Sequence, residues 1–209
     1  MLLEIVCVGE LQVNCYILAS KEGAGAIIID PGSQPDKIKE VLLRHKLKPA
    51  FIINTHGHFD HIGADDDFDV PVLVHCKDAP LLKDPYLNLS AFFSSAAVSV
   101  ASEMREVKNH EIIALDDIAL EVLEVPGHSP GGMALLLKSP HTNMVFTGDS
   151  LFFQSIGRTD FPGASGAMLI DAIKKNLLTL PNDTVVYPGH GPSSTIGQEK
   201  SGNQFFFDA

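Results

Sequence analysis

The chain has 209 residues, 45% of them hydrophobic, and a formal net charge of −11 at pH 7. This length and apolar content suit one sizeable domain with a hydrophobic core, so residues 1–209 are predicted to form a single domain. The acidic excess repels polyanions, which argues against nucleic acid as a partner. No stretch reaches about 18 uninterrupted apolar residues, so a membrane-spanning helix is not expected.

The three cysteines, Cys7, Cys15 and Cys76, form an odd and sparse set. Such a set predicts reduced thiols rather than a disulfide framework. The N-terminus also has no basic region ahead of a long apolar core, so a cytoplasmic location is expected. Cys7 and Cys15 stand in apolar runs, and both are predicted to lie in the core rather than to bind metal.

The first part of the chain alternates predicted strands with one helix. Strands are predicted where apolar, partly β-branched runs end in turn signals, at Leu3–Val8, Asn14–Ala19, Ala24–Asp30 and Ala50–Asn54. A helix is predicted to begin at Ser33, because Ser33 and Asp36 have the spacing of a capping box. Pro35 suits the first turn of that helix.

The second part is less regular at its start and regular afterwards. Asp65–Asp67 suits the first turn of a helix, where acidic groups complement the helix dipole, better than a calcium loop. Residues 78–104 are predicted to be loop and short helix lying over the site. Further elements are predicted as strands at Pro71–His75, Ile118–Val125, Met133–Lys138, Met144–Thr147 and Thr184–Tyr187 and as an amphipathic helix at Ala167–Leu178.

A dense group of metal-binding side chains follows the strand that ends at Asn54. Three imidazoles and one carboxylate fall within six residues, at His56, His58, Asp60 and His61. Imidazole nitrogen and carboxylate oxygen are ligands for zinc and for metals such as iron or manganese. His56 and His58 could point at one ion, and Asp60 and His61 could reach a second.

Three later turns each present one polar side chain directly after an apolar strand. His128, Asp149 and His190 stand in these turns, which are rich in Gly and Pro. Together with the first group they give five histidines and two aspartates, enough for two metal ions with one carboxylate shared. The other four histidines lie outside these motifs and are predicted to be ordinary core or surface residues, namely His45, His75, His110 and His141.

These motifs resemble the metallo-β-lactamase superfamily in order and context. The matching segments are His56-x-His58-x-Asp60-His61, Pro126-Gly127-His128-Ser129, Gly148-Asp149 and Pro188-Gly189-His190-Gly191. Asp30-Pro31-Gly32 and Gly157–Pro162 further resemble compact bacterial hydrolases related to hydroxyacylglutathione hydrolase, or glyoxalase II. The resemblance implies an αβ/βα fold, a four-layer sandwich of two mixed β-sheets flanked by helices.

The resemblance also implies a ligand set for two divalent metal ions, zinc first, with iron or manganese as alternatives. His56, His58 and His128 would bind the first ion. The second ion would be bound by Asp60, His61 and His190, and Asp149 would bridge the two. Thr55 and Ser150 flank ligands and are expected to support them.

The expected activity is that of a metal-dependent thioesterase of glyoxalase II type, acting through a hydroxide held by two metal ions. Asp60 and Asp149 are the predicted catalytic residues, with Asp60 orienting the nucleophile or accepting its proton. A thiol has a pKa of about 8.5 and leaves without a general acid, which favours a thioester over an amide. The expected partner is a small thioester or ester, and the expected assembly is a monomer or a homodimer.

Several alternatives remain open from the sequence. Arg158 is predicted either to anchor a substrate carboxylate or to pair with Asp160. Persulfide dioxygenases resemble this chain too, and the resemblance then implies one iron held by His56, His128 and Asp149. A lactonase or another ester hydrolase is a further alternative. A purely structural metal module is disfavoured, because structural zinc sites are closed and usually rich in cysteine.

Overall fold

Two six-stranded sheets lie at the centre of the structure, a computed structural model that describes residues 1–138 and 143–207. The strands of the first sheet, in both chain and spatial order, are β1 (Leu2–Val8), β2 (Val13–Ala19), β3 (Gly25–Ile29), β4 (Lys48–Asn54), β5 (Val72–His75) and β6 (Met104–Val107). β1 to β3 pair antiparallel, and β3 to β6 pair parallel.

The remaining strands form the second sheet and a small ribbon. In chain order they are β7 (Ile112–Leu115), β8 (Ile118–Glu124), β9 (Met133–Leu137), β10 (Met144–Gly148), the ribbon strands β11 (Leu151–Phe152) and β12 (Ser155–Ile156), β13 (Val185–Pro188) and β14 (Ser194–Thr195). The second sheet has the order β14-β13-β10-β9-β8-β7, and only its β10–β13 pair is parallel. Both sheets are therefore mixed.

The helices connect the strands or cover the sheets. The described helices are α1 (Pro35–Arg44), α2 (Phe59–Ile62), α3 (Ala79–Lys83), α4 (Ser90–Phe93), α5 (Gly166–Asn176) and α6 (Ile196–Gly202), with 3-10 turns at Asp65–Asp67 and Gln204–Phe206. None of the helices in the described part of the chain is long and apolar enough to cross a membrane.

Alternating side chains build three apolar clusters and hence four layers. Ile27 and Ile29 of β3 pack with Phe146 of β10 in the cluster between the sheets. Ile28, between them in sequence, faces outward and joins the cluster that includes Ile38 of α1. A third cluster joins the outer face of the second sheet to α5. The predicted four-layer sandwich of two mixed sheets flanked by helices is thus confirmed.

Two sequence predictions are wrong in detail, and both errors have a local cause. Cys15 is buried as predicted, but Cys7 is exposed, because Val6 and Val8 occupy the inward face of β1. α1 begins at Pro35 and not at Ser33, and its N-cap Gln34 has left-handed backbone angles and no capping side-chain bond. The Gln34 side chain accepts a hydrogen bond from the backbone N–H of Gly9, 3.1 Å away.

The sheet topology brings the ends of several strands together. β3 and β4 are parallel neighbours, so Asp30 and His56, which follow them, lie at the same edge. β10 and β13 are also parallel, which brings Asp149 and His190 together. This edge, where both sheets end, is where the polar motif residues collect.

Candidate metal centre

The turn after β4 presents three buried histidines. His56, His58 and His61 are 2%, 6% and 0% exposed, and His61 lies on the short helix α2. The ring of His61 is held by Asp30, whose Oδ2 lies 3.0 Å from His61 Nδ1. Asp30 also accepts hydrogen bonds from the N–H and the hydroxyl of Thr55, both at 2.7 Å. Asp30 thus fixes the ring of His61 so that Nε2 faces the other motif residues.

The later histidines are oriented by backbone carbonyls. His128 Nδ1 donates to the carbonyl oxygen of Arg158 at 2.8 Å, and His190 Nδ1 donates to that of Leu11 at 2.9 Å. Because each Nδ1 is engaged in this way, each Nε2 is left free to face the cluster.

Glycines let these turns approach one another closely. Gly148 has a φ of +48°, a left-handed conformation that favours glycine, and a Cβ there would overlap the side chain of Thr55. At Gly189 a Cβ would overlap the carboxylate of Asp149. These two glycines explain why the ends of β10 and β13 can lie against the turn after β4.

The structure brings all seven predicted side chains into one cluster. His58 Nδ1 and His128 Nε2 lie 2.9 Å apart, and His61 Nε2 lies 3.4 Å from both Asp149 Oδ1 and His190 Nε2. Ligand atoms around a tetrahedral zinc ion are about 3.3 Å apart, given a zinc–nitrogen distance of about 2.0–2.1 Å. The observed separations are those that neighbouring ligands of one ion require.

Asp149 and Asp60 connect the members of the cluster. Asp149 Oδ2 lies 3.7 Å from His128 Nε2 and 3.5 Å from His190 Nε2. Asp60 Oδ2 lies 3.4 Å from His190 Nε2 and 3.8 Å from His61 Nε2. The ligand atoms form three sets able to hold an ion, which are His56–His58–His128, His56–His61–Asp149 and Asp60–His61–His190. Asp149 therefore contacts both predicted halves of the site.

Among the described residues, two buried atoms of the cluster have no hydrogen-bond partner. These atoms are Nε2 of His56 and Oδ1 of Asp149, which has only the 3.4 Å ion pair with His61 among those residues. A buried polar atom without a partner is costly, and a bound cation at this position would give both atoms one. The donors are imidazole and carboxylate, which suit zinc, iron or manganese. The residues present therefore fit a pair of divalent metal ions.

Two histidines of the cluster have lowered pKa values, and two have raised ones. Burial lowers the pKa of His56 and lowers that of His58 to about 3, so both rings are neutral at pH 7. Burial also lowers the pKa of His190, but hydrogen bonds to Asp149 and Asp60 outweigh it and raise the value to about 10. For His61 the carboxylate of Asp149 likewise outweighs burial and raises the pKa.

Asp78 supports the site, and the sequence did not identify it. Its fully buried carboxylate accepts hydrogen bonds from the N–H of Gly57, at 3.0 Å, and from the hydroxyl of Ser129, at 2.6 Å. A third bond comes from the N–H of Gly131. Burial raises the pKa of Asp78 in spite of these bonds. Asp78 thus ties the turn that carries His56 and His58 to the turn that carries His128.

A cavity of about 460 Å3 opens beside the cluster. Asp60, Asp149 and Arg158 line it, together with several apolar residues. The guanidinium of Arg158 forms two hydrogen bonds with Asp160, at 3.0 and 2.8 Å, and lies 4.5 Å from the centre of the Phe161 ring. The predicted pairing of Arg158 with Asp160 is thus present, and because Arg158 also borders the cavity, its alternative role as an anchor for a substrate carboxylate stays a prediction.

Other predicted residues lie around the site or away from it. Leu89 and Phe93 line the cavity, so the loop and short helix of residues 78–104 do lie beside the site. Thr55 supports the cluster through Asp30, whereas the hydroxyl of Ser150 donates to the carbonyl of Val125, 3.5 Å away. Histidines outside the cluster pair with glutamates, namely His45 with Glu4, His75 with Glu124 and His110 with Glu121. His141 is outside the described residues.

Comparisons with known proteins agree with this geometry. Residues 8–190 match the family model of the metallo-beta-lactamase superfamily. Hydroxyacylglutathione hydrolase GloC of Haemophilus influenzae (strain ATCC 51907 / DSM 11121 / KW20 / Rd) is 33% identical over 208 residues, with 97% of each chain covered.

Two crystal structures are also similar. BLEG-1, described as a B3 metallo-beta-lactamase, is 36% identical with a TM-score of 0.91, and the match covers 99% of this chain and 100% of BLEG-1. TTHA1623 in a di-iron-bound form is 38% identical with a TM-score of 0.82, covering 97% of this chain and 99% of TTHA1623. The family match, together with the His-rich sets able to hold metal ions, indicates a metal-dependent hydrolase. The chain belongs to the metallo-beta-lactamase superfamily.

Proposed function

We propose that the chain is a dinuclear metallohydrolase of glyoxalase II type, a thioesterase for small-molecule substrates. The observation that carries the proposal is the cluster of five histidines and two aspartates beside an open cavity. His56, His58 and His128 are the proposed ligands of one ion, and Asp60, His61 and His190 those of the other. Asp149 is the proposed bridge, because its two oxygens face members of both sets.

The similar proteins support this proposal. GloC is named a hydroxyacylglutathione hydrolase, and TTHA1623 has a di-iron-bound form. We take zinc as the first expectation for this chain, with iron or manganese as alternatives, because imidazole and carboxylate serve all three. The free cysteines fit the proposed cytoplasmic location. A monomer or a homodimer is proposed as the assembly.

The protein's own residues would place and activate the reactants. Divalent ions, when bound, supply a nucleophilic hydroxide near neutral pH and positive charge for the carbonyl oxygen. Asp60 borders the cavity, and its pKa is lowered because His61 and His190 outweigh the effect of burial. Asp60 is therefore ionised at neutral pH and able to orient a water or accept its proton. A thiol leaves as thiolate, so no additional acid is required.

The same geometry supports two ions over one. A mononuclear iron site of the persulfide dioxygenase kind would use His56, His128 and Asp149. In this structure Asp60, His61 and His190 form a set as close as the others. A one-iron enzyme would use three of the seven clustered residues as ligands, whereas a dinuclear hydrolase would use all seven.

Metal analysis combined with a substrate panel tests the proposal. Protein loaded separately with zinc, iron or manganese is assayed on thioesters, a simple ester, a lactone and a β-lactam, and oxygen uptake is followed with a persulfide. We expect about two ions per chain and the highest rate with a thioester. One iron per chain with oxygen uptake, or preferred turnover of the β-lactam or the lactone, would overturn the thioesterase assignment.

Replacement of the proposed bridge gives a second test. Asp149→Asn removes the charge shared by both ion sites but keeps the size of the side chain. We expect occupancy of one ion to fall and thioester hydrolysis to drop on the order of a hundredfold or more. Asp36→Asn, an exposed change in α1, is the matched control. Full activity of Asp149→Asn with unchanged metal content would rule out the bridge.

A further inference from the structure

Phenylalanine rings form much of the surface of the cavity beside the metal centre. We call them the aromatic wall, which consists of Phe59, Phe93, Phe152 and Phe161. Leu11 and Leu89 extend the apolar lining. The polar groups of the cavity are mostly the proposed ligands themselves, so the apolar part of the cavity faces whatever is attached to the reacting group.

The aromatic wall reaches the metal centre directly. The ring of Phe161 lies 5.4 Å from that of His58 and 6.0 Å from that of His128, between ring centres. On another side, the ring of Phe152 lies 6.2 Å from that of His190. A substituent on a carbonyl that reacts at the metal centre would therefore lie near these rings. The wall is placed to contact the substrate close to the bond that breaks.

Part of the wall is exposed although it lines a concavity. Phe93 is 63% exposed and Leu11 is 54% exposed. Phe93 also lies 6.4 Å from Phe161, so its ring continues the wall from the metal centre toward solvent. An apolar group bound along these rings would remove apolar surface of both partners from water, which favours binding.

Cationic side chains are scarce around the same space. A second cavity of about 440 Å3 adjoins the first and shares Leu11, Phe59, Asp60 and Phe93 with it. Among the described residues lining either cavity there is no lysine, and Arg158, the one arginine, is already paired with Asp160. Apart from the proposed metal ions and their ligand His190, a carrier with several carboxylates or phosphates would meet acidic groups here and no unpaired lysine or arginine.

We propose, on the basis of the thioesterase function proposed above, that the substrate is a thioester uncharged on both sides of its carbonyl. At least one of its two halves is apolar and lies against the aromatic wall. The glutathione tripeptide, which carries two carboxylates, is then not the group that this cavity recognises. The proposal thus narrows the substrate class of the metal centre and adds the four phenylalanines as specificity residues.

Four thioesters made from two acyl groups and two thiols test this proposal. Acetyl and phenylacetyl groups are each joined to glutathione and to the uncharged thiol N-acetylcysteamine, and kcat/KM is measured with metal-loaded protein. We expect phenylacetyl to exceed acetyl on the order of tenfold, and N-acetylcysteamine esters to exceed glutathione esters. Faster hydrolysis of the glutathione esters, or no gain from the ring, would contradict the proposal.

Two pairs of neighbouring phenylalanines provide matched variants. Phe93 and Phe92 are 63% and 62% exposed, but only Phe93 lines the cavity. Likewise Phe152 lines the cavity and Phe153 does not. We expect Phe93→Ala and Phe152→Ala each to lower kcat/KM for the phenylacetyl ester by about fivefold to tenfold. Phe92→Ala and Phe153→Ala should leave that value nearly unchanged, and equal losses in both members of a pair would contradict the proposal.

Binding of a neutral aromatic dye separates this inference from the proposed reaction. The fluorescence of N-phenyl-1-naphthylamine is followed as metal-free protein is added. Phe93→Ala and Phe152→Ala should raise the Kd of the dye, whereas Phe92→Ala and Phe153→Ala should leave it unchanged. If the dye distinguishes the variants but no thioester is hydrolysed, the thioesterase function fails and the apolar site remains. If thioesters are hydrolysed but the ring and the variants have no effect, this inference alone fails.

Discussion

At the scale of single residues, histidines and aspartates of the metal centre form ion pairs even without metal. His61 and His190 have raised pKa values and are protonated at neutral pH, whereas Asp60 and Asp149 have lowered ones and are ionised. In the metal-free protein these two imidazolium groups face the carboxylates of Asp60 and Asp149, and His61 also contacts Asp30. A metal ion at the Asp60–His61–His190 set would replace those protons.

Proton release on metal binding follows from this arrangement. A histidine with a raised pKa keeps its proton until the pH rises through that value, so at about pH 7 an ion must displace it. We expect protons to be released from His61 and His190, and apparent affinity to fall as the pH drops below about 10, the pKa of His190. Calorimetry in buffers of different ionisation enthalpy measures the release. Binding without release, or His190→Gln releasing as many protons as the natural protein, would contradict the expectation.

The sequence allowed site residues to be predicted where the chemistry requires a particular type of side chain. The seven clustered side chains were predicted to lie together because imidazole and carboxylate, each at the end of a strand, have few other uses. Asp30 was noted as part of a motif, but its bond to His61 depends on β3 and β4 being neighbours. Asp78 gave no signal, because nothing in its local sequence shows that the carboxylate is buried under two distant turns.

At the scale of secondary structure, the longer elements were predictable from the sequence, whereas several of the short ones were not. β6, β7 and β14 were not predicted, because they are short, and β7 alternates exposed and buried positions at the edge of a sheet. α6 was also not predicted, although Thr195 and Gln198 form a capping box that is visible in the sequence. The acidic triplet Asp65–Asp67 was predicted to lie in a helical turn, and it forms a 3-10 turn. The contacts of Asp66 with Ala101 and Ser102, which are distant in sequence, were not predicted.

Asp66 is the residue of that triplet that holds the segment over the site. Its carboxylate accepts hydrogen bonds from the N–H groups of Ala101 and Ser102 and from the Ser102 hydroxyl, at 2.7 to 2.9 Å. These bonds fix the end of residues 78–104, the segment that contributes Leu89 and Phe93 to the cavity. Asp66, an exposed residue of a 3-10 turn, thus helps to hold the cavity lining in place.

Removal of this carboxylate should loosen the segment without unfolding the protein. We expect Asp66→Ala to lower the free energy of unfolding by about 1 kcal/mol and to speed hydrogen exchange in residues 78–104. Asp67→Ala is the control, since Asp67 has only a 3.9 Å ion pair with Lys39. The bonds to Ala101 and Ser102 lower the pKa of Asp66. The difference between the variants should therefore vanish as pH falls through that lowered value, and a difference that persists there would contradict the expectation.

At the scale of the whole molecule, the metal centre joins the two sheets. His56, His58 and His61 follow a strand of the first sheet, whereas Asp149 and His190 follow strands of the second. Two hydrogen bonds also connect β2 of the first sheet with the end of β13 in the second. The Tyr16 hydroxyl donates to the carbonyl oxygen of Pro188, at 2.6 Å, and the Asn14 N–H donates to that of Gly189, at 2.7 Å. The pairing of the two sheets depends on such long-range contacts, which is why the family resemblance and not local sequence patterns predicted it.

Bound metal should therefore stabilise the whole fold, and removal of the metal by a chelator should lower the Tm. An ion that binds only the folded protein adds about 1.4 kcal/mol for each tenfold excess over its Kd, so tight binding should raise the Tm on the order of 10 °C. We expect chelator-treated protein to melt lower by this amount and to recover on addition of zinc. Asp149→Asn should show a smaller difference, because one ion would be lost before chelation. Calorimetric scans of both proteins measure the shift, and an unchanged Tm after verified metal removal would show that the ions do not bridge the two sheets.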